Sequence, residues 1–284
     1  MQTIGLGLDF QHRHSYGKPL FELLDSLRER LSHISIVGLQ SDQEARFFKS
    51  LAQQLPVLHH LTGVAPAGVS GVNLAELRRQ RVFTDVLGAL WCLEDIGIWN
   101  IGPYDIPYFA PPVLCEEVLR ATIDGVLALQ KEIVVPFLAE LPSCSFIAGD
   151  IDLETFFTRL ISETGCGMVL DVSHVFSYAI YRDVDPLAVL ARLPLDGVIE
   201  IHVAGGSVHP MHQWRYRDTH TEPILDKVVE ILCHAIPMCP NLRAITYEIG
   251  LGIPLELVDA ELQRLEQLMA FSAFVPSITK LHAQ

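Results

Sequence analysis

Along the chain, short apolar runs rich in β-branched residues alternate with longer segments whose apolar residues recur at helical spacing. The runs at residues 4–9, 34–39, 56–61, 87–93, 133–140, 167–171, 198–204 and 243–248 predict strands. The periodic segments at 20–31, 42–54, 112–130, 153–164, 186–192, 222–235 and 255–271 predict helices, and "SDQEAR" and "DIDLETFF" each set Ser or Asp just before a helical start. Eight strand–helix units in series predict one closed parallel (β/α)8 TIM barrel, α/β in class, over residues 1–284. An open doubly wound sheet is the alternative, but "IGLGLDF" in the first strand carries Gly5 and Gly7 and lacks the third glycine of a dinucleotide fingerprint. The irregular stretches 62–72, 97–112 and 205–221 all follow strands, so in a barrel they cover its C-terminal face.

Composition narrows the picture without redirecting it. Half of the 284 residues are hydrophobic and 19% are charged, which provides for a large core. Mean hydropathy is +0.31. No apolar run approaches the ~18 residues of a membrane span, and "MQTIGLGLDF" lacks the form of a signal peptide. The expectation is a soluble cytoplasmic protein with no membrane partner. A net charge of −14 argues against nucleic acid, whose phosphates are bound by Lys and Arg. The six cysteines form no C-x-x-C pair and read as reduced, mostly buried thiols. No G-x-S-x-G nucleophile elbow is present, since "GVSGVN" around Ser70 has the wrong spacing.

The chemistry lies at the strand ends. "GMVLDVSH" raises the question most sharply: a run that looks like a buried strand ends on Asp171, with His174 three residues on. A buried carboxylate needs a basic side chain, a helix N-terminus or a metal ion to meet it. The other strands end similarly, on His59 and His60, on Glu94 and Asp95, and on Glu140, His202 and Glu248. The loop after the seventh strand adds Asp218 and His220, which alternate in an extended "DTH" and so point the same way. Any one of these alone reads best as a hydrogen-bonded structural residue. Together, converging on one barrel face with no matching set of Lys or Arg, they would repel one another. A multinuclear metal site is the simplest resolution.

The joined segments "ETGCGMVLDVSHVFSYAI", "DGVIEIHVAGG", "RDTHTEPI" and "ITYEIG", with "AELPS" upstream, resemble the multinuclear non-haem iron-dependent oxidative enzymes, the family of the methanobactin biosynthesis oxidase, within the xylose isomerase-like superfamily. The resemblance implies a TIM barrel holding two or three iron ions. It implies use of O2 to modify cysteines of a ribosomally made precursor peptide, which a separate partner protein delivers. It implies metal ligation by His59, Glu140, Asp171, His202, Asp218, His220 and Glu248, with Glu94, Asp95 and His209 as additional candidates. The order that includes Asp171-x-x-His174 is also similar to the trinuclear-zinc apurinic endonucleases and the xylose isomerase-like epimerases, which adds His174 to the ligand set. That similarity implies a zinc- or manganese-dependent hydrolase or isomerase as the alternative. The second strand, "ISIVGLQSD", has neither the His nor the Glu usual in the oxidase family, and a degenerate binding barrel is the third reading.

Overall fold

A computed structural model describes residues 3–11, 20–53, 55–68, 70–101, 104–144 and 146–271. The chain opens with β1 (Gly5–Gln11), α1 (Leu20–Leu27), β2 (His33–Val37), α2 (Asp42–Ala52), β3 (Val57–His60), α3 (Leu74–Leu87) and β4 (Cys92–Asp95). A hairpin of β5 (Ile98–Ile101) and β6 (Tyr104–Ala110) follows, then α4 (Glu116–Glu132), β7 (Phe137–Glu140), α5 (Leu153–Thr164) and β8 (Gly167–Asp171). Next come α6 (Val172–Arg182), α7 (Pro186–Leu190), β9 (Val198–Ala204) and a second hairpin, β10 (Gly206–His209) with β11 (His212–Asp218). The chain then forms α8 (Asp226–Met238), β12 (Ala244–Glu248) and α9 (Leu255–Phe271). The strands β1, β2, β3, β4, β7, β8, β9 and β12 close into a parallel barrel in that order, with β12 paired to β1. Among the described residues no helix is long and apolar enough to cross a membrane.

Alternation along each strand sorts its side chains between two environments. Leu6, Leu8 and Phe10 of β1 and Ile34 and Ile36 of β2 face outward and join the large core between barrel and helices. Leu58, Trp91, Leu93, Leu138, Val169 and Ala244 form a separate apolar cluster that floors the barrel interior. Continuing each inward phase toward the C-terminal ends gives His60, Asp95, Glu140, Asp171 and Glu248, so a dry floor supports a polar mouth.

Two corrections concern elements. The fourth strand spans Cys92–Asp95 rather than 87–93, because helix α3 runs to Leu87 and Gly88 then ends it in the left-handed conformation (φ 64°). Two of the stretches read as irregular, 97–112 and 205–221, contain the antiparallel hairpins β5–β6 and β10–β11. Both hairpins contribute residues to the barrel mouth.

Candidate metal centre

Asp171 shows how the fold makes the site. It ends β8 and begins α6 at once: its Oδ1 accepts from the backbone N–H of Ser173 (2.6 Å) and of His174 (2.8 Å), capping the helix. The helix N-terminus thus meets the buried carboxylate. Only one oxygen is used. Oδ2 is buried without a hydrogen bond and faces the centre of the barrel mouth.

Around it the strand ends converge in a cavity of about 440 Å³. Oxygens or ring nitrogens of Glu140, Asp171, His202 and Glu248 lie within 4.8 Å of one another, as do those of His60, Glu140 and His202. Asp9, His60 and Glu248 form a further group, and Asp95, Glu140 and His174 another. Asp218 Oδ2 lies 2.8 Å from His174 Nε2, and His220 Nε2 lies 3.3 Å from Asp218 Oδ1 and 3.8 Å from Glu248 Oε2. His220 holds this place from a left-handed backbone (φ 57°), a strained conformation for a non-glycine residue. Its N–H donates to the Gly205 carbonyl (2.9 Å), and its own carbonyl accepts from Gly250 (2.7 Å). A Cβ at Gly205 would overlap the Glu222 carbonyl, so that loop path requires glycine.

The electrostatics are those of imidazoles and carboxylates crowded together, a donor set that could hold a cation. No Lys or Arg is among the described residues lining the cavity. Burial alone would lower His60, His174 and His202, yet surrounding carboxylates outweigh it and hold all three well above the ordinary imidazole range. His220 is likewise carried to about 10, because Asp218 outweighs its burial. Burial pushes Glu140 up to about 8 against the pull of His202, and Asp171 up to about 6 against that of His174. Burial would also raise Asp218 and Glu248, but adjacent imidazoles hold both below the usual carboxylate range.

Hydrogen bonding gives the direct test of fit. Asp9 Oδ1, Asp95 Oδ1, both Glu140 oxygens, Asp171 Oδ2, His202 Nδ1, Asp218 Oδ1 and His220 Nε2 are all buried without a hydrogen bond. His202 Nδ1 lies 2.9 Å from Glu140 Oε1 and 3.1 Å from Glu248 Oε1, in close approach but without hydrogen-bond geometry. Orphaned buried polar atoms are costly, and a cation shared among them removes that cost. Imidazole and carboxylate donors in several overlapping groups fit more than one first-row metal ion.

Of the residues singled out in the sequence, Glu140, Asp171, His174, His202, Asp218, His220, Glu248 and Asp95 meet in this cavity or its wall. Three do not. His59 points outward to the helix layer, its Nδ1 2.8 Å from Thr84 Oγ1 of α3, and burial drops its pKa to about 3. Its neighbour His60 is the inward one. Glu94 also turns away and accepts from the N–H groups of Val64 (2.9 Å) and Ala65 (3.2 Å), shaping the loop after β3. His209 sits in the β10–β11 hairpin, stacked on His212 at 4.9 Å. Asp9, two residues before the end of β1, belongs to the cluster although it is not among the residues singled out in the sequence. For Asp9 the signal was present, since it ends the run at residues 4–9 as the other polar ends do, whereas His60 is set apart from His59 only by the packing of Leu58, which shares its phase, into the barrel floor. His60→Ala is therefore expected to lower bound metal by at least one equivalent. His59→Ala should keep the full complement and cost roughly 1–3 kcal/mol of stability through the lost hydrogen bond to Thr84, whose own hydroxyl still donates to the Gln80 carbonyl, and the space left by the buried ring. Elemental analysis and thermal melts of the two variants check this.

Fold and donor set together define a TIM barrel with a cluster of His, Asp and Glu that could hold metal at its C-terminal face. Within that class, the chain belongs to the RiPP precursor modification enzyme MbnB/TglH/ChrH family, whose model matches residues 5–270. Its relatives include a UPF0276 protein of Caulobacter vibrioides, 26% identical over 230 residues, or 79% of each chain. A UPF0276 protein of Vibrio parahaemolyticus is 22% identical over 278 residues, 94% of this chain and 92% of the relative. Among solved structures, endonuclease IV from Thermus thermophilus superposes with a TM-score of 0.60 at 16% identity, covering 94% of this chain and 99% of the other. A xylose isomerase domain protein from Planctomyces limnophilus gives 0.66 at 14% identity, covering 96% and 99%. These likenesses show the fold.

Proposed function

We propose that this protein is an iron-dependent oxidase that modifies a cysteine residue of a ribosomally made precursor peptide, with O2 as the oxidant. The observation that carries the reading is the set of orphaned donor atoms, which overlap in several groups beneath an open cavity. Glu140, Asp171, His202 and Glu248 would hold one ion, His60 and Asp9 with Glu248 a second, and His174 with Asp218 and His220 a third. Bound iron would supply oxygen activation and an electron sink for the thiolate sulfur. The protein's own part is to bind and to enclose. Asp218 and His220 line the cavity, as do Trp99 and Tyr108 of the β5–β6 hairpin. Tyr108 is 55% exposed, so it offers an aromatic face to a peptide entering from solvent. A separate protein that presents the peptide is part of this proposal.

The second reading is a zinc- or manganese-dependent hydrolase or isomerase, favoured by one observation. His174 donates from Nδ1 to the Leu141 carbonyl (2.5 Å), which turns Nε2 into the cavity beside Asp218. An anchored imidazole at this position is a firm ligand for zinc. His174→Asn is expected to weaken one metal position by roughly 10–100-fold and leave the others filled. Anaerobic metal titration of both proteins checks it, and identical affinity would place His174 outside the centre.

Elemental analysis of anaerobically purified protein separates the readings. Two or three irons, with a peptide mass change dependent on O2, support the oxidase; zinc or manganese with no such change supports the second reading. Protein that takes up no metal would make it a binding barrel.

A further inference from the structure

Beneath the metal centre runs a second polar layer, fully buried, that supplies none of the donors described above. Glu200 lies two residues before His202 on β9, in the same inward phase. Its Oε2 accepts from Trp91 Nε1–H at 2.7 Å. Its Oε1 accepts from the Thr246 hydroxyl and lies 3.1 Å from His202 Nε2. Thr246 Oγ1, its proton committed to Glu200, is 2.9 Å from His33 Nε2. Glu200, His202, Thr246 and His33 are all 0% exposed.

The strand register explains how this chain of contacts crosses the barrel. His33 on β2 and Thr246 on β12 are separated by β1, and both pair with Gly7. A Cβ at Gly7 would overlap the His33 ring, so the bare glycine lets that ring pass over β1 to reach Thr246. The "GLG" of the first strand thus serves this network.

Donor arithmetic sets the direction of every proton. Trp91 can only donate, and Thr246 has a single hydroxyl proton. Both Glu200 oxygens already accept, Oε2 from Trp91 and Oε1 from Thr246, so the contact between Oε1 and His202 is completed by a proton on Nε2.

We propose that Glu200 is the positioning residue of the centre: its Oε1 accepts a hydrogen bond from His202 Nε2–H and so presents the Nδ1 lone pair toward Glu140 and Glu248. The inference rests on the metal-centre reading above and adds to it the group that orients a ligand. Glu200→Gln then acts by a defined route. Because Trp91 only donates, the amide oxygen must take the Oε2 position. The NH2 group is left facing His202 Nε2, which becomes an acceptor, and the imidazole proton moves to Nδ1, where it blocks ligation.

The experiment is a Zn(II) competition titration of the full-length wild type, Glu200→Gln and the double variant Glu200→Gln/Trp91→Phe. Glu200→Gln should weaken the tightest site by about 10–100-fold. The double variant should bind more tightly than Glu200→Gln, because without the indole donor the amide is free to flip and offer its oxygen to His202. A merely structural role predicts that the second substitution makes matters worse. In metal-free Glu200→Gln, imidazole ¹H–¹⁵N correlation should place the neutral-ring proton on Nδ1. Wild-type affinity in Glu200→Gln, no recovery in the double variant, or a proton still on Nε2 alone would each overturn this inference and leave the metal centre standing. A wild type that binds no Zn(II) would overturn the metal centre, and this inference with it.

Discussion

Replacing His202 with alanine is expected to remove at least one equivalent of bound metal from a barrel that remains folded. His202 belongs to two of the four donor groups, and its Nδ1 stands within 3.1 Å of both Glu140 and Glu248. Truncation removes the imidazole between these carboxylates. A cation retained there would have to be held by oxygen donors alone, a poorer set for iron or zinc. The barrel should survive because its floor and the helix layer make no use of the ring. Asp171→Ala should have the same effect on metal content and an added cost of about 1 kcal/mol, since the α6 cap is lost. Asp171→Asn separates the two roles, keeping an acceptor for the cap while removing the charge. Metal content by elemental analysis, with circular dichroism for folding, provides the readout. Full occupancy in both alanine variants would rule out a metal at this position.

Removing the metal is expected to change how stability responds to pH between about pH 5 and about pH 8. In the metal-free protein Glu140 is raised to about 8 and Asp171 to about 6, chiefly by burial. In the unfolded chain both return to about 4. Across this window the native state therefore binds more protons than the unfolded state, and stability falls as pH rises. His60, His174 and His202 act with the same sign: burial opposes them, but carboxylates raise them, so the stability they add below about pH 6.5 is lost as pH climbs through their native values. Asp218 and Glu248 are depressed, so their contribution is complete above about pH 4 and is lost only in stronger acid. Metal binding runs the other way, because protons compete with the ion for the same atoms and affinity rises with pH. Thermal midpoints with and without a chelator should accordingly diverge as pH increases. A gap that stays constant or narrows would mean that no cation binds among these side chains.

Relation to the family turns on which strands supply the centre. The second strand ends without the His and Glu usual there, and β2 instead offers His33 to the buried layer beneath. Asp9 of β1 and Asp95 of β4 stand in the groups that contain His60 and His174, so carboxylates on neighbouring strands lie beside those imidazoles. Two of the chain's own thiols belong to the core around the barrel. Cys144 and Cys92 are both buried, and burial pushes the first up to about 12 and the second higher still, far from thiolate character.

The barrel and most of its polar mouth could be read from one-dimensional pattern, because a parallel strand buried on both faces is a continuous apolar run and its polar end interrupts it. That pattern marks Glu140, Asp171 and Glu248, which each close a run at the same end of the barrel, and His202, two residues before the end of β9. It could not choose between His59 and His60. Both are polar neighbours in one short strand, and a period of two says only that they face opposite ways. The packing of Leu58 into the barrel floor decided for His60, and Thr84 on α3 claimed His59. The same limit applied to the Asp171 question, where a helix N-terminus and a metal ion stood as alternatives in sequence. The fold makes them compatible, because one carboxylate oxygen caps α6 while the other remains turned to the cavity. Gly7 was visible as a residue but its purpose was not, since it depends on two strands paired on either side of β1. Local pattern thus determined which elements form and where their polar ends lie. Register and closure of the barrel decided which polar atoms meet, because proximity across strands far apart in sequence is a property of three-dimensional packing alone.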